Sequence, residues 1–147
     1  MAKPDVHKET ELIDLLNQIL CLEYSIIVHF PSISGAFPDR EMSDKMLFLS
    51  TASIKHANGV AEAIEKLGGK PEWSFEPFPD GDLVKVFEFQ VEKERQAHDM
   101  HMKCAAMAEE SYLRKQFATF AKDEEYHEKV AQEVLDYLRA RPKAVPR

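Results

Sequence analysis

The stretch Asp123-Glu124-Glu125-Tyr126-His127 decides the reading, because Glu124 and His127 stand three positions apart. On a helix that spacing puts a carboxylate and an imidazole on one face. Glu94 lies 30 residues earlier, and the chain repeats this pattern once: Ser53-Ile54-Lys55-His56 is preceded by Glu23 at the same interval of 30. A constant offset of 71 carries Glu23, Ser53 and His56 onto Glu94, Glu124 and His127, so the two halves superpose without a gap and differ chemically only at Ser53.

Around these residues the apolar pattern is helical. Leu12, Ile13, Leu16, Ile19, Leu20, Glu23, Ile26, Ile27 and Phe30 form one stripe at 3- and 4-residue spacing, predicting a helix over about 10–30 that ends or kinks at Pro31. Pro31 to Asp39, with Ser34, Gly35 and Pro38, is the first connection. A second helix is expected over about 41–67, with Met46, Leu49, Ser53, His56, Val60 and Ile64 inward and Gly68-Gly69 as its stop. Residues 68–81 hold Pro71, Pro77 and Pro79 with Trp73, Phe75 and Phe78 between them, an extended linker whose aromatics pack over the helices. A third helix covers about 82–109, with Val91, Glu94, Ala97, His98 and His101 on a shared face, and a fourth about 112–140, with Phe117, Phe120, Glu124, His127 and Val134 inward. Pro142 and Pro146 end regular structure.

Four long helices predict an all-α four-helix bundle as a single domain over 1–147. The linker sets the topology. Fourteen extended residues reach about 46–50 Å, enough to traverse a helix of about 40 Å, so helices two and three run parallel in up-down-down-up order. In each hairpin the polar residues lie at equal distances from the turn, so antiparallel packing brings them to one level at mid-height. Lys55 and Arg95 lie beside the stripes rather than on them. Buried carboxylates without partners cost several kcal/mol, which calls for a cation. Carboxylate with imidazole suits Fe, Mn or Zn and makes a poor cage for Ca or Mg. A hydrogen-bonded polar layer without metal is the alternative.

Composition narrows the partners. The net charge of -7 and pI near 5.4 argue against nucleic acid and anionic membranes, which need a basic surface. No uninterrupted run approaches 18 apolar residues, and Pro4, Asp5 and His7 stand where a signal peptide would carry its apolar core, so a cytoplasmic location is expected. Cys21 and Cys104 lie in helical patterns and are expected to be reduced, space-filling thiols.

The chain resembles the ferritin-like superfamily, in its bacterioferritin and rubrerythrin branch. The resemblance covers all four helices and rests on Leu22-Glu23-Tyr24, Lys55-His56-Ala57 continuing to Leu67-Gly68-Gly69-Lys70-Pro71, Glu94-x-x-Ala97 and Asp123-Glu124-Glu125-Tyr126-His127. It implies a non-haem di-iron carboxylate centre. Carried over by position, Glu23 and His56 hold one metal, Glu94 and His127 hold the other, and Glu124 bridges. The second bridging position falls on Ser53, which cannot supply it. His98, at a level near Glu124, is the first candidate for a substitute ligand, and His101 the second.

Other departures prune the implied functions. Ile54 replaces the haem-binding Met of bacterioferritin, so haem is not expected, and the rubredoxin portion of rubrerythrin is absent. Only 20 residues follow His127, so a homodimer or small homo-oligomer is expected rather than a sealed 24-subunit shell. The functional expectation is ferroxidase-like: one or two Fe ions per chain, or Fe with Mn, reacting with oxygen or peroxide, with ferrous ion as substrate. The alternatives are a degenerate mononuclear metal-binding or scaffold protein, and a bundle oxygenase or hydroxylase acting on a small organic molecule.

Overall fold

The computed structural model describes residues 6–37, 39–77 and 82–141. Pro4, Asp5, Pro38, Phe78, Pro79, Gly81, Pro142 and Pro146, which the sequence reading assigned to the chain ends and connections, lie outside the described residues. Four helices follow one another: α1 Val6–Ile33, α2 Arg40–Lys66, α3 Leu83–Met107 and α4 Ser111–Ala140. Among the described residues there is no strand.

Asp39 starts α2 by accepting the Glu41 amide at 2.8 Å, and Asp82 starts α3 by accepting the Lys85 amide at 3.0 Å. Each side chain satisfies a backbone donor that the first helical turn leaves without a partner. Gly68, at φ +85, closes α2 in the left-handed region, and the Gly69 amide returns to the Ile64 carbonyl at 2.9 Å. At the α3–α4 break the Arg114 guanidinium donates to the Ala108 and Glu109 carbonyls, which tie off the end of α3.

Pro31 does not stop α1. The helix begins at Val6, ahead of the expected start, passes through the exposed Pro31 to Ile33 and continues into a 3₁₀ turn at Ser34–Ala36. Hydroxyls satisfy carbonyls near this end: Ser32 donates to His29 at 2.6 Å and Ser34 to Pro31 at 3.0 Å. Part of α1 is also long and apolar enough to cross a membrane by length and composition, although charged residues interrupt its apolar run. In the bundle that helix puts Leu12, Leu16, Ile19, Ile26 and Phe30 into the core, with buried Glu23 among them.

The core has two apolar halves. One joins the first half of α1, the second half of α2, the end of α3 and the start of α4, through Leu16, Ile19, Val60, Ile64, Cys104 and Phe117. The other joins the opposite ends, through Phe30, Met46, Leu49, Phe87, Val91 and Val134. Only up-down-down-up order places those segments together. Within the bundle α1 packs on α2 and α3, and α4 on α3 and α2, leaving α1/α4 and α2/α3 as the diagonals. The linker runs back along α1: Asn17 donates to the Lys70 carbonyl at 3.3 Å and accepts from the Glu72 amide at 2.9 Å, and Ser25 accepts from the Glu76 amide at 2.8 Å. Trp73 packs against Tyr24, with ring centroids 4.5 Å apart.

Gly59, inside α2, is a packing requirement. A Cβ there would lie 2.5 Å from Cζ of Phe120, whose buried ring is held against His56 and His101 with centroids 4.5 and 5.4 Å away. Helix propensity alone favours Ala over Gly by roughly 0.5–1 kcal/mol. Overpacking costs about 1–3 kcal/mol and is expected to win. Thermal denaturation of Gly59→Ala should show a melting temperature lower by about 2–10 °C; an equal or higher value would leave the close approach without energetic weight.

Candidate metal centre

Between the two apolar halves lies a polar layer. Glu23 from α1, Ser53 and His56 from α2, Gln90, Glu94 and His101 from α3, and Glu124 and His127 from α4 are all buried. They meet there because each occupies the inward stripe of its helix at mid-height. Charged groups at such depth are rare in protein interiors unless paired or bound to metal.

Glu124 is the hub. Its Oε1 faces His56 Nδ1 at 2.7 Å and its Oε2 faces His127 Nδ1 at 3.3 Å. Glu23 Oε1 lies 3.5 Å from His56 Nδ1, and Glu94 Oε2 lies 3.7 Å from His127 Nδ1. Thus the α1/α2 pair and the α3/α4 pair each present one imidazole and one carboxylate of their own, and both reach the same Glu124. Glu23, His56, His101 and Glu124 offer ligand atoms within 4.8 Å of one another, and so do Glu94, Glu124 and His127.

The layer distributes charge unevenly. Burial, reinforced by the negative charge of Glu124, raises Glu23 to about 8. Burial and the same charge raise Glu94 well above the usual carboxylate range. For Glu124, burial works against ionisation but is outweighed by hydrogen bonds with Glu94, His127 and His56, which hold it well below that range. His56 is likewise penalised by burial, yet its bonds to Glu124 and Glu23 raise it to about 10. Burial lowers His101 to about 4. Without a cation, negative charge in the layer concentrates on Glu124, while Glu23 and Glu94 favour their protons.

Two supporting residues were not singled out from the sequence. Asp123 Oδ2 takes the other ring nitrogen of His56, Nε2, at 3.0 Å, and Gln90 Nε2 donates to Glu94 Oε1 at 2.6 Å. Position could have flagged both, since Gln90 stands four residues before Glu94 on the same face and Asp123 adjoins Glu124. Ligating imidazoles are commonly oriented through the nitrogen that the metal does not use.

Of the two substitute candidates, the geometry brings His101 to the cluster. His98, level with Glu124 along the axis, turns to the outer side of the α3–α4 contact, where it pairs with Asp99 at 3.1 Å and Glu125 at 3.2 Å. Ser53 is buried on the inner face of α2 and adds no carboxylate. A cleft of about 330 Å³ lined by Phe48, Thr51, Lys55, Asp123 and Tyr126 leads between α2 and α4 to His56 and His127.

The donor chemistry fits a transition metal. Glu23 Oε2 and both ring nitrogens of His101 are buried without a hydrogen-bond partner among the described residues, which leaves a carboxylate oxygen and an imidazole nitrogen available to a ligand. Mixed carboxylate and imidazole donors match Fe, Mn or Zn.

Comparisons with known proteins agree with this architecture. The structure is similar to a ferritin-like, diiron-carboxylate protein from Bacillus anthracis str. Ames, with TM-score 0.81 at 22% identity over 89% of this chain and 99% of that one. It is also similar to the bacterioferritin of Desulfovibrio desulfuricans, with TM-score 0.77 at 16% identity over 94% and 85% of the two chains. A dodecameric thioferritin from Bacteroides fragilis gives TM-score 0.74 at 20% identity over 89% and 88%. No curated protein sequence matches the chain. The sequence model described as Ferritin-like domain matches residues 13–140, which take in most of α1 and all of α2 to α4 with every residue of the polar layer, and the chain accordingly belongs to the ferritin-like family.

Proposed function

We propose that this protein is a non-haem dinuclear metal protein, loading iron or iron with manganese, and reacting with oxygen or peroxide with ferrous ion as its substrate. The observation that carries the reading is the pair of overlapping donor groups that share Glu124. Bound metal would supply the electron transfer, which no side chain here performs. Glu23 and His56 would hold one ion, Glu94 and His127 would hold the other, and Glu124 would contribute to both. Asp123 holds Nε2 of His56 and so directs Nδ1 towards the carboxylates. Gln90 fixes one oxygen of Glu94 and leaves the other facing His127. Loading requires that His56 release the proton it shares with Glu124 and that Glu23 and Glu94 ionise. The cleft beside His56 and His127 gives ions and small oxidants a route from solvent.

Assembly into a homo-oligomer belongs to this reading, supported by the neighbour described as dodecameric. Two other readings have an observation behind them. Ser53 favours a mononuclear or scaffold protein, since one bridging carboxylate is missing. The cleft, at about 330 Å³, has room for a small organic substrate of a bundle oxygenase.

Anaerobic Fe(II) titration should bind two ions per chain, and admitting oxygen should consume it in proportion to the iron. One ion per chain supports the mononuclear reading, and none removes the metal centre altogether. Oxygen consumption that requires an added organic compound would favour the oxygenase. Glu124→Ala should bind no more than one ion, because both groups lose a ligand, whereas His98→Ala should leave the stoichiometry unchanged.

The metal-free protein should also lose stability as pH rises from about 6 to 9. Glu23, raised to about 8, contributes stability that is complete below its unfolded value of 4.5 and is lost as pH climbs through 8. His56, raised to about 10, contributes stability that is complete below 6.5 and is lost on the way to 10. Metal binding favours the deprotonated ligands, so the gain in melting temperature on adding Zn(II) should be larger at pH 8 than at pH 6. A metal-free melting temperature that stays flat across this range would contradict the buried proton arrangement.

A further inference from the structure

We propose that His101 is a metal ligand and that it makes the two halves of the centre unequal: Glu23, His56, His101 and Glu124 enclose the first divalent cation tightly, and Glu94 and His127, sharing Glu124, take the second more weakly. This rests on the metal-centre reading above and adds a ligand and an order of loading to it.

His101 is completely buried, and neither ring nitrogen has a hydrogen-bond partner among the described residues. A buried imidazole in that condition loses its water contacts and gains nothing in return, so packing alone is poorly served by it. Leu or Phe would fill the space without that loss. The ring packs edge-on to His56, with centroids 5.8 Å apart, and against Phe120 at 5.4 Å. Its Nε2 lies 3.9 Å from Glu124 Oε1, too far for a hydrogen bond. Two donors on one ion, each about 2.1 Å from it, lie within about 4.2 Å of each other. All four donors fall within 4.8 Å, so they need close by only a fraction of an ångström.

Charge supplies the asymmetry. With Ser53 in place of a carboxylate, the layer holds three carboxyl groups, Glu23, Glu94 and Glu124, against the four charges of two divalent cations. Glu23 and Glu124 balance one cation, and two neutral imidazoles complete its donor set. The second cation then finds only Glu94 wholly its own, shares a carboxylate already engaged, and is repelled by the first in a site largely shielded from water. His101 does not line the cleft, whereas His127 does. Each group keeps one imidazole on the solvent route, His56 and His127, and the four-ligand group has in addition His101, which stands away from the cleft.

Anaerobic titration of the full chain with Co(II), followed by visible absorption and equilibrium dialysis, should give two steps with dissociation constants at least about tenfold apart. X-ray absorption on the sample with one equivalent should count two imidazoles on the ion. His101→Leu should abolish the tight step and leave the metal-free melting temperature unchanged or raised, a result that a purely structural histidine would not give. Glu94→Gln should remove the weak step and keep the tight one. Two equal steps, a tight step that survives His101→Leu, or one imidazole on the first ion would overturn the proposal while the metal centre stands. No Co(II) binding by the unaltered protein would remove the metal centre itself. Should His101→Leu not fold, the imidazole count on the unaltered protein decides.

Discussion

Three carboxyl groups buried at one level of a narrow bundle are the constraint to which the rest of this structure answers. Each would be costly there alone, and two ionised carboxylates at that range repel strongly in a medium shielded from water. The layer resolves this by concentrating negative charge on Glu124, which faces His56 and His127 and shares a hydrogen bond with Glu94. Glu23 and Glu94 are pushed towards their protonated forms. Such an arrangement is tolerable without metal, and it leaves two sets of candidate ligand atoms, each within 4.8 Å of one another.

The scaffold keeps that volume in place by packing both of its sides. Apolar clusters above and below the layer fix the axial level of all four helices, so none can slide without opening one cluster and crowding the other. The linker contributes by running the length of α1, with Asn17 and Ser25 taking up its backbone groups. Gly69 allows its close start, since a Cβ there would lie 2.8 Å from Cγ2 of Ile13. Phe120, seated in the space that Gly59 leaves open, connects packing to chemistry by walling both His56 and His101.

Much of this was legible in one dimension. Apolar stripes at 3- and 4-residue spacing located the helices, with three of them starting and ending within two residues of expectation. The misreadings have physical reasons. Proline lacks an amide proton and crowds the preceding turn, which predicts that α1 ends or kinks at Pro31, yet Pro31 sits exposed near the end of a helix that continues to Ile33, where hydroxyl groups satisfy the neighbouring carbonyls. Axial level alone favours His98 over His101. The buried seam of α3 runs Gln90, Glu94, Ala97, His101, Cys104, alternating steps of four and three, and that alternation passes over position 98. His98 sits beside the seam, facing Glu125 of α4.

By itself the sequence determined that four amphipathic helices form, that the linker is long enough to leave α2 and α3 parallel, and that Glu23, His56, Glu94, Glu124 and His127 lie on inward faces at one height. These follow from local periodicity and chain length, which need no knowledge of neighbours. Tertiary structure alone decided which side chains meet: that His101 Nε2 comes within 3.9 Å of Glu124 while His98 faces Glu125, that Asp123 and Gln90 orient their partners, and that a cleft opens between α2 and α4. Helical periodicity places a side chain only to within a broad sector around the axis. A ligand set is defined to tenths of an ångström, and that margin is set by how the facing helices pack.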